Sequence, residues 1–368
     1  MIAITNSQFF SDSPLLKGQT IFIEDGKISR ISNEAVPADY EIIDAAGDYV
    51  SPAFIDLQIY GSGGNLFSAY PTAETLKQMD EDLISKGTTS FLACVATNSP
   101  EIVYQCLDAA KVYRSEAKGF LGLHLEGPYI NPKRRGAHIA EYIYKASLDE
   151  VKKLLDYADG TIKMMTIAAE LQDEEVIRYL VDQGIILSLG HSDADFDQAT
   201  AAYNSGFKTT THLFNAMPSI HHRAPNLPVA VINHPTAMAS IIADGCHVNL
   251  EVVKMTYKAM KDRLFLITDA VTACAIGPYQ HELQGDKFVT AEGTLSGSNI
   301  TLLQAVQNCV KHCDIPIEGA LKLASKNPAL LMGILKTKGT LNVGSDADLL
   351  FLSPELQLKK VFVKGLHI

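Results

Sequence analysis

The chain has 368 residues, 47% of them hydrophobic and 20% charged, and a formal net charge of −11. This composition supports a large buried core, and the acidic balance without long Lys/Arg runs excludes the clustered cations that nucleic acid or an anionic membrane requires. Six cysteines without a disulfide-framework spacing, no signal-like leader and no apolar window near the ~20 residues of a membrane span predict a cytoplasmic protein with reduced thiols and a small-molecule substrate.

Short apolar runs alternate with amphipathic segments through the middle of the chain. The runs Ser51–Gln58, Thr88–Thr97, Gly119–Glu126 and Thr161–Glu170 read as buried strands, as do Gly184–His191, Phe207–Phe214, Ala237–Asp244 and Arg263–Ala270. Helix-like stretches separate most of them: Ala73–Gly87, Pro100–Ala117, Ser147–Gly160, Asp173–Gly184, Asp195–Gly206 and Asn249–Asp262. Several stop at a glycine just past the last apolar position. Strands apolar on both faces that alternate with helices imply a parallel sheet, and eight such units predict a (β/α)8 TIM-type barrel. An open doubly wound sheet is the other arrangement the pattern allows.

The flanks read differently. Residues 1–50, with QTIFIEDGKISRISN, and residues 336–368, with SDADLLFLSPELQLKKVFVKG, alternate short strands with Asp-Gly, Pro and Gly turn signals. They predict one small β-sandwich domain built from both ends of the chain, around a barrel spanning 51–335. Tyr279–Ser298 reads as a hairpin-like insertion, followed by helices over Asn299–Lys311 and Ile317–Met332.

Glu126, His191, His212 and Asp269 each fall at the C-terminal end of a predicted strand, the end at which parallel barrel strands open onto one face. A buried carboxylate such as Glu126 costs several kcal/mol unless it meets a cation or a set of donors. A Glu, His, His set that leaves one position open is a catalytic divalent-metal arrangement, most simply zinc. Asp269 is then placed to take a proton from water and return it to a leaving group, whereas on its own it would read as a helix N-cap. The Cys309–Cys313 stretch CVKHC has metal-like letters but lies in an apolar-periodic helix with no second ligand pair, and reads as core.

The motifs HLEGPYINPKRRGAH, LGHSDAD, THLFNAMPSIHHR, ADGCHV, ITDAV and GTLSGS, taken as a set, resemble the N-acetylglucosamine-6-phosphate deacetylase family of the amidohydrolase superfamily, over nearly the whole chain. The resemblance implies hydrolysis of the N-acetyl group of an amino-sugar 6-phosphate. It implies Glu126, His191 and His212 as ligands of one divalent ion, Asp269 as the acid/base, and His138 as the residue at the acetyl carbonyl. Ala137, Asn215, Ala216, Arg223 and His247 would contact the sugar phosphate, with Leu295, Ser296 and Gly297 offering backbone contacts. Arg223 would reach the phosphate in a neighbouring subunit's site, which implies a homodimer, and His222 beside it is a further phosphate candidate.

Several positions depart from the family pattern. Gln58 and Tyr60 stand where many amidohydrolases carry His-x-His, so one metal is expected, not two. Ala53 replaces a usual glycine, and Ala224 and Asn226 alter the loop that presents Arg223, which leaves the sugar epimer open between glucosamine and galactosamine. A cyclic-amide or nucleobase amidohydrolase and a non-catalytic scaffold are the remaining alternatives. The first would not need Arg223. The second would have no use for Asp269 beside a metal.

Overall fold

A computed structural model describes residues 1–10 and 15–368. All eight expected strands are present as β1 (Phe54–Ile59), β2 (Thr88–Ala96), β3 (Phe120–Glu126), β4 (Ile162–Ile167), β5 (Ile186–Leu189), β6 (Thr209–Thr210), β7 (Met238–Ile241) and β8 (Leu264–Leu266). They pair in sequence order, all parallel. The ring closes through a parallel bridge between Ile59 and Ala270, beside which the Asp269 N–H donates to the Gln58 carbonyl at 2.9 Å. This is the (β/α)8 barrel that the alternation predicts, and its closing seam lies at the level of Gln58 and Asp269.

The helices that cover the barrel are α1 (Ala73–Ser85), α2 (Pro100–Tyr113), α3 (Leu148–Ala158), α4 (Glu174–Asp182), α5 (Phe196–Asn204), α6 (Leu227–Asn233) and α7 (Leu250–Met260). In α3 the buried positions Val151, Leu154 and Ala158 form one stripe, Ser147 caps the N-terminus, and Asp149 and Glu150 lie in the first turn. That is the charge placement the helix dipole favours. Asp195 and Gln198 form a capping box on α5. Helix α6 has no counterpart in the sequence reading, because LPVAVIN is short, begins with a proline in its first turn and shows no helical period.

Three further helices follow, α8 (Leu302–His312), α9 (Ile317–Ala324) and α10 (Lys326–Met332). The single helix expected over Ile317–Met332 is thus two, broken at Ser325. Pro328 supplies the reason: it has no N–H to bond the carbonyl four residues back, so a continuous helix would lose a rung there. Ala329 and Leu331 of α10 join Ile55, Leu57, Leu92, Met164, Ile186, Met238 and Phe265 in one apolar cluster, so α10 plugs the barrel from below.

The flanks form two sheets. One has four strands, Lys27–Ser32, Thr20–Glu24, Ile2–Thr5 and Glu41–Asp44, all from residues before 45. The other interleaves Gln8–Phe10, Leu15–Lys17 and Tyr49–Pro52 with Leu349–Leu352, Leu358–Val363 and Leu366–His367. Ile4, Phe9, Ile21, Val50, Leu349 and Phe362 fill the space between the sheets. The segment expected as a hairpin is a three-stranded meander, Glu282–Gln284, Lys287–Val289 and Leu295–Ser298.

Candidate active site

Four strand ends converge at the mouth of the barrel. Glu126 is the last residue of β3, and pairing in register with Ala96 on one side and Thr166 on the other fixes its height. His191 lies two residues past β5, His212 two past β6, and Asp269 three past β8. All three have positive φ, at 46°, 31° and 53°, as do Phe214 and Ala216. Left-handed backbone is uncommon for residues with a Cβ, and it persists only where the surroundings over-determine it. Here they do: the Ser240 hydroxyl accepts from His212 N at 2.8 Å, and Asn131 N donates to the His191 carbonyl at 2.8 Å. The same crowding explains Gly127, φ +87°, where an added Cβ would lie 2.0 Å from Thr97 Oγ1.

Ligand atoms of Glu126, His191 and His212 all lie within 4.8 Å of one another, the one such cluster among the described residues. Glu126 Oε1 is 3.0 Å from His212 Nε2 and 3.3 Å from His191 Nε2. His191 Nδ1 donates to the Arg134 carbonyl at 2.8 Å, which fixes the tautomer and leaves a lone pair on Nε2. Burial opposes ionisation of Glu126, but the facing His191 and hydrogen bonds from His138, His191 and His212 prevail, holding its carboxyl well below the usual range. Two imidazole nitrogens and a carboxylate oxygen that converge in a buried site are the donor set of a divalent ion, so these residues fit one. His212 Nδ1 is buried and has no hydrogen-bond partner among the described residues.

His138 follows the basic loop. Thr97 N donates to its Nδ1 at 3.3 Å, so the proton sits on Nε2, which is 3.2 Å from Glu126 Oε2. Arg135 Nη1 donates to the His138 carbonyl at 2.9 Å, and Arg134 and Lys133 pair with Asp193. Arg134 and Arg135 are thus anchored, while Lys133 stays exposed to solvent. Burial raises the Asp269 carboxyl well above its ordinary range, with His212 opposing and Glu126, Asp56 and Asp244 adding.

The pocket in front of these groups is lined by most of the other residues the sequence singles out. Ala137 and His138 come from the basic loop, Asn215 and Ala216 from the turn after β6, and Leu295, Ser296 and Gly297 from the meander. His247 also lines it, its Nδ1 held by Asp244 Oδ2 at 2.6 Å. Gln58 lies just behind, fully buried and donating to both Glu126 and Asp269. Arg223 and His222 are not in this pocket: they are exposed on the loop before α6, with His222 stacked on His221.

The sequence singles out Tyr60 only as one of two positions that lack the His-x-His imidazoles, and it gives no site role to Tyr279, His281 or Asp244. Tyr60, Tyr279 and His281 line the pocket, and Asp244 orients His247. Tyr279 and His281 alternate at period two, a signal that both point to one face, and the Tyr279 hydroxyl donates to the Thr97 carbonyl at 2.5 Å. Burial pushes the His281 imidazole down to about 4, which keeps it neutral opposite Ser296 Oγ at 3.0 Å. His124, on β3, bonds Leu57 O and Thr166 Oγ1 beneath the site and takes no part in the cluster. Cys309 and Cys313 are free and buried.

Comparison with known proteins matches this arrangement. Residues 49–367 match the model of the Amidohydrolase family. The N-acetylglucosamine-6-phosphate deacetylase of Vibrio furnissii is 33% identical over 93% of this chain and 88% of its own length, and that of Homo sapiens 33% identical over 99% and 95%. The crystal structure of the Pasteurella multocida N-acetylglucosamine-6-phosphate deacetylase superposes with a TM-score of 0.94 at 32% identity, covering 100% of this chain and 99% of that one. With the barrel, the convergent donor set and full-length similarity all in agreement, the chain belongs to the amidohydrolase family, among the N-acetylglucosamine-6-phosphate deacetylases.

Proposed function

We propose that the protein is a metal-dependent deacetylase that cleaves N-acetylglucosamine 6-phosphate to glucosamine 6-phosphate and acetate. The observation that carries this reading is the meeting of Glu126, His191, His212, Asp269 and His138 at one pocket. A Mycobacterium smegmatis relative, 29% identical with a TM-score of 0.91, has been solved as a variant in complex with N-acetyl-D-glucosamine-6-phosphate. Glu126, His191 and His212 would hold one divalent ion, zinc being the simplest choice for two imidazoles and a carboxylate. Such an ion polarises a carbonyl and makes water a better nucleophile near neutral pH.

The protein's own groups do the rest. The Asp269 carboxylate takes a proton from the attacking water and, once protonated, delivers it to the sugar nitrogen, since an amine leaves poorly without it. Its burial favours the protonated form, which suits the second half of that task. His138, with its proton on Nε2, donates to the carbonyl oxygen as negative charge develops there. Ala137, Asn215, Ala216, His247 and the Leu295–Gly297 backbone bind the sugar. Arg223, exposed and remote from this pocket in one chain, reaches the phosphate of a partner's site in a homodimer. The chain divides into a barrel, 51–335, and a small β domain, 1–50 with 336–368. Six free cysteines fit a reducing cytoplasm, and no helix among the described residues is long and apolar enough to cross a membrane.

The direct test is acetate release from a panel of N-acetylhexosamine 6-phosphates and their unphosphorylated forms, with metal analysis of the same sample. The gluco 6-phosphate is expected to be cleaved fastest, by protein holding close to one tightly bound divalent ion per chain. Reproducible binding of two tight ions would end the single-metal reading. Equal turnover with and without the phosphate would remove Arg223 from its assigned role.

A further inference from the structure

Tyr60 and Gln58 occupy the seam where the barrel closes, and their side chains touch both carboxylates of the site. The Tyr60 backbone is pinned on each side, its N–H donating to the Ala270 carbonyl at 2.9 Å and its own carbonyl accepting from Phe67 N at 2.9 Å. Its hydroxyl donates to Glu126 Oε2. Gln58 Nε2 donates to Glu126 Oε1 at 2.9 Å and to Asp269 Oδ1 at 2.8 Å, and sits 3.2 Å from the Tyr60 hydroxyl.

The two oxygens of Glu126 therefore have different neighbours. Oε1 faces His191 Nε2 and His212 Nε2 and accepts from Gln58 Nε2, whereas Oε2 is held by Tyr60 and by His138 Nε2. Turning the carboxylate to offer both oxygens to an ion would leave the buried phenol without an acceptor. The two oxygens of Asp269 differ as well: Oδ1 accepts from Gln58, so an incoming proton has Oδ2 as its free site.

We infer that Tyr60 and Gln58 are positioning residues: the Tyr60 hydroxyl restricts Glu126 to single-oxygen ligation of the ion through Oε1, and the Gln58 amide reserves Oδ2 of Asp269 for proton transfer. This assignment rests on the reading of Glu126, His191 and His212 as metal ligands. It gives the chain's departure from His-x-His a task at the remaining metal site. The phenol and the amide do not bind an ion themselves. They order the carboxylates that do the binding and the proton transfer.

The test uses the metal-loaded enzyme and Tyr60→Phe, which keeps the ring and deletes the hydroxyl. Competition against a chromophoric chelator should show Zn2+ bound about ten- to a hundredfold more weakly, the usual cost of losing a partner behind a ligand. The visible spectrum of the Co2+-loaded protein should change as Glu126 gains freedom to offer a second oxygen, and kcat should fall with KM for N-acetylglucosamine 6-phosphate unchanged. A folded Tyr60→Phe protein with wild-type Zn2+ affinity and an unchanged Co2+ spectrum overturns the Tyr60 assignment alone. Wild-type protein that takes up neither ion overturns the metal reading beneath it. Gln58→Met retains the bulk and reads the other half, also serving if Tyr60→Phe does not fold: it should lose kcat with KM held, and unimpaired turnover overturns the Gln58 assignment.

Discussion

The floor and the mouth of the barrel are made by the same eight strands, yet they obey different rules. At the floor Ile55, Leu57, Leu92, Met164, Ile186, Met238 and Phe265 meet α10 in an apolar plug where every contact is interchangeable in kind. At the mouth Glu126, His191, His212 and Asp269 are buried polar groups, three of them on left-handed backbone. A hydrogen-bonded layer separates the two, in which His124 bonds Thr166, Thr166 bonds Thr211, and Asp56 accepts from the Thr268 hydroxyl at 2.5 Å. Packing alone sustains the floor. The mouth keeps conformations that cost energy, and the groups they present explain why.

The sharpest way to break this contrast is at Asp269. Asp269→Asn keeps the shape but cannot accept a proton, so metal and substrate should still bind while kcat falls by the ~10²–10⁴ typical of general acid/base catalysis. Near-normal turnover of the metal-loaded variant would return Asp269 to a structural role. At the floor, Phe265→Ala should act the opposite way. Emptying a fully buried aromatic site costs about 3–5 kcal/mol of stability, read by chemical denaturation, while turnover of the folded fraction is retained. A loss of kcat as large as that of Asp269→Asn would mean that floor and mouth are one functional unit.

The layer between them can be probed by pH. Burial raises the Asp56 carboxyl to about 7, against hydrogen bonds from Thr268 and Gln58. An acid whose folded pKa lies above its unfolded value of ~3.9 favours the fold most when both states are protonated. Its contribution is complete below about pH 4 and is lost as pH rises through about 7, a change on the order of 4 kcal/mol. In metal-free protein, Asp56→Asn should flatten the fall in unfolding free energy across that window, and parallel profiles for the two proteins would contradict a neutral Asp56. The smallest effect is expected furthest out. Arg223→Ala should raise KM for the 6-phosphate about ten- to a hundredfold, as a lost charge-assisted contact would, and spare kcat, because the phosphate is remote from the bond that breaks. A fall in kcat with KM unchanged would place Arg223 elsewhere in the reaction.

What the sequence discloses follows the same division. The eight strands are legible because each is apolar on both faces, and the helices because they carry stripes and glycine stops. Strand ends are less so: Phe207–Phe214 reads as one run, but only Thr209–Thr210 is strand, since the chain turns left-handed at His212. Carboxylates and imidazoles at strand ends stand out against apolar runs, which is why Glu126, His191, His212 and Asp269 could be picked as a set. The contact of Tyr60 with Glu126 and that of Asp244 with His247 could not. One depends on how the barrel closes and the other on a turn that folds Asp244 back onto His247, neither of which leaves a period in the sequence.

The stitching of the small β sandwich has a consequence in time. Residues 26–28 bond residues 344–347, through Ala347 N to the Gly26 carbonyl at 2.8 Å, Ile28 N to the Ser345 carbonyl at 2.9 Å and the Lys27–Asp346 ion pair, and Tyr49–Pro52 pairs with Leu349–Leu352. A ribosome adding roughly 5–20 residues per second separates these partners by some tens of seconds. For that interval the four-stranded sheet, complete by residue 44, can form, but Ile4, Phe9, Ile21 and Val50 lack the strands that will cover them. Nascent chains halted before residue 340 should accordingly be cut by protease within residues 2–52, and chains that have emerged past residue 367 should resist. The barrel would have to be built while its own flank waits unfinished, which makes the early strands the part of this protein most in need of a chaperone.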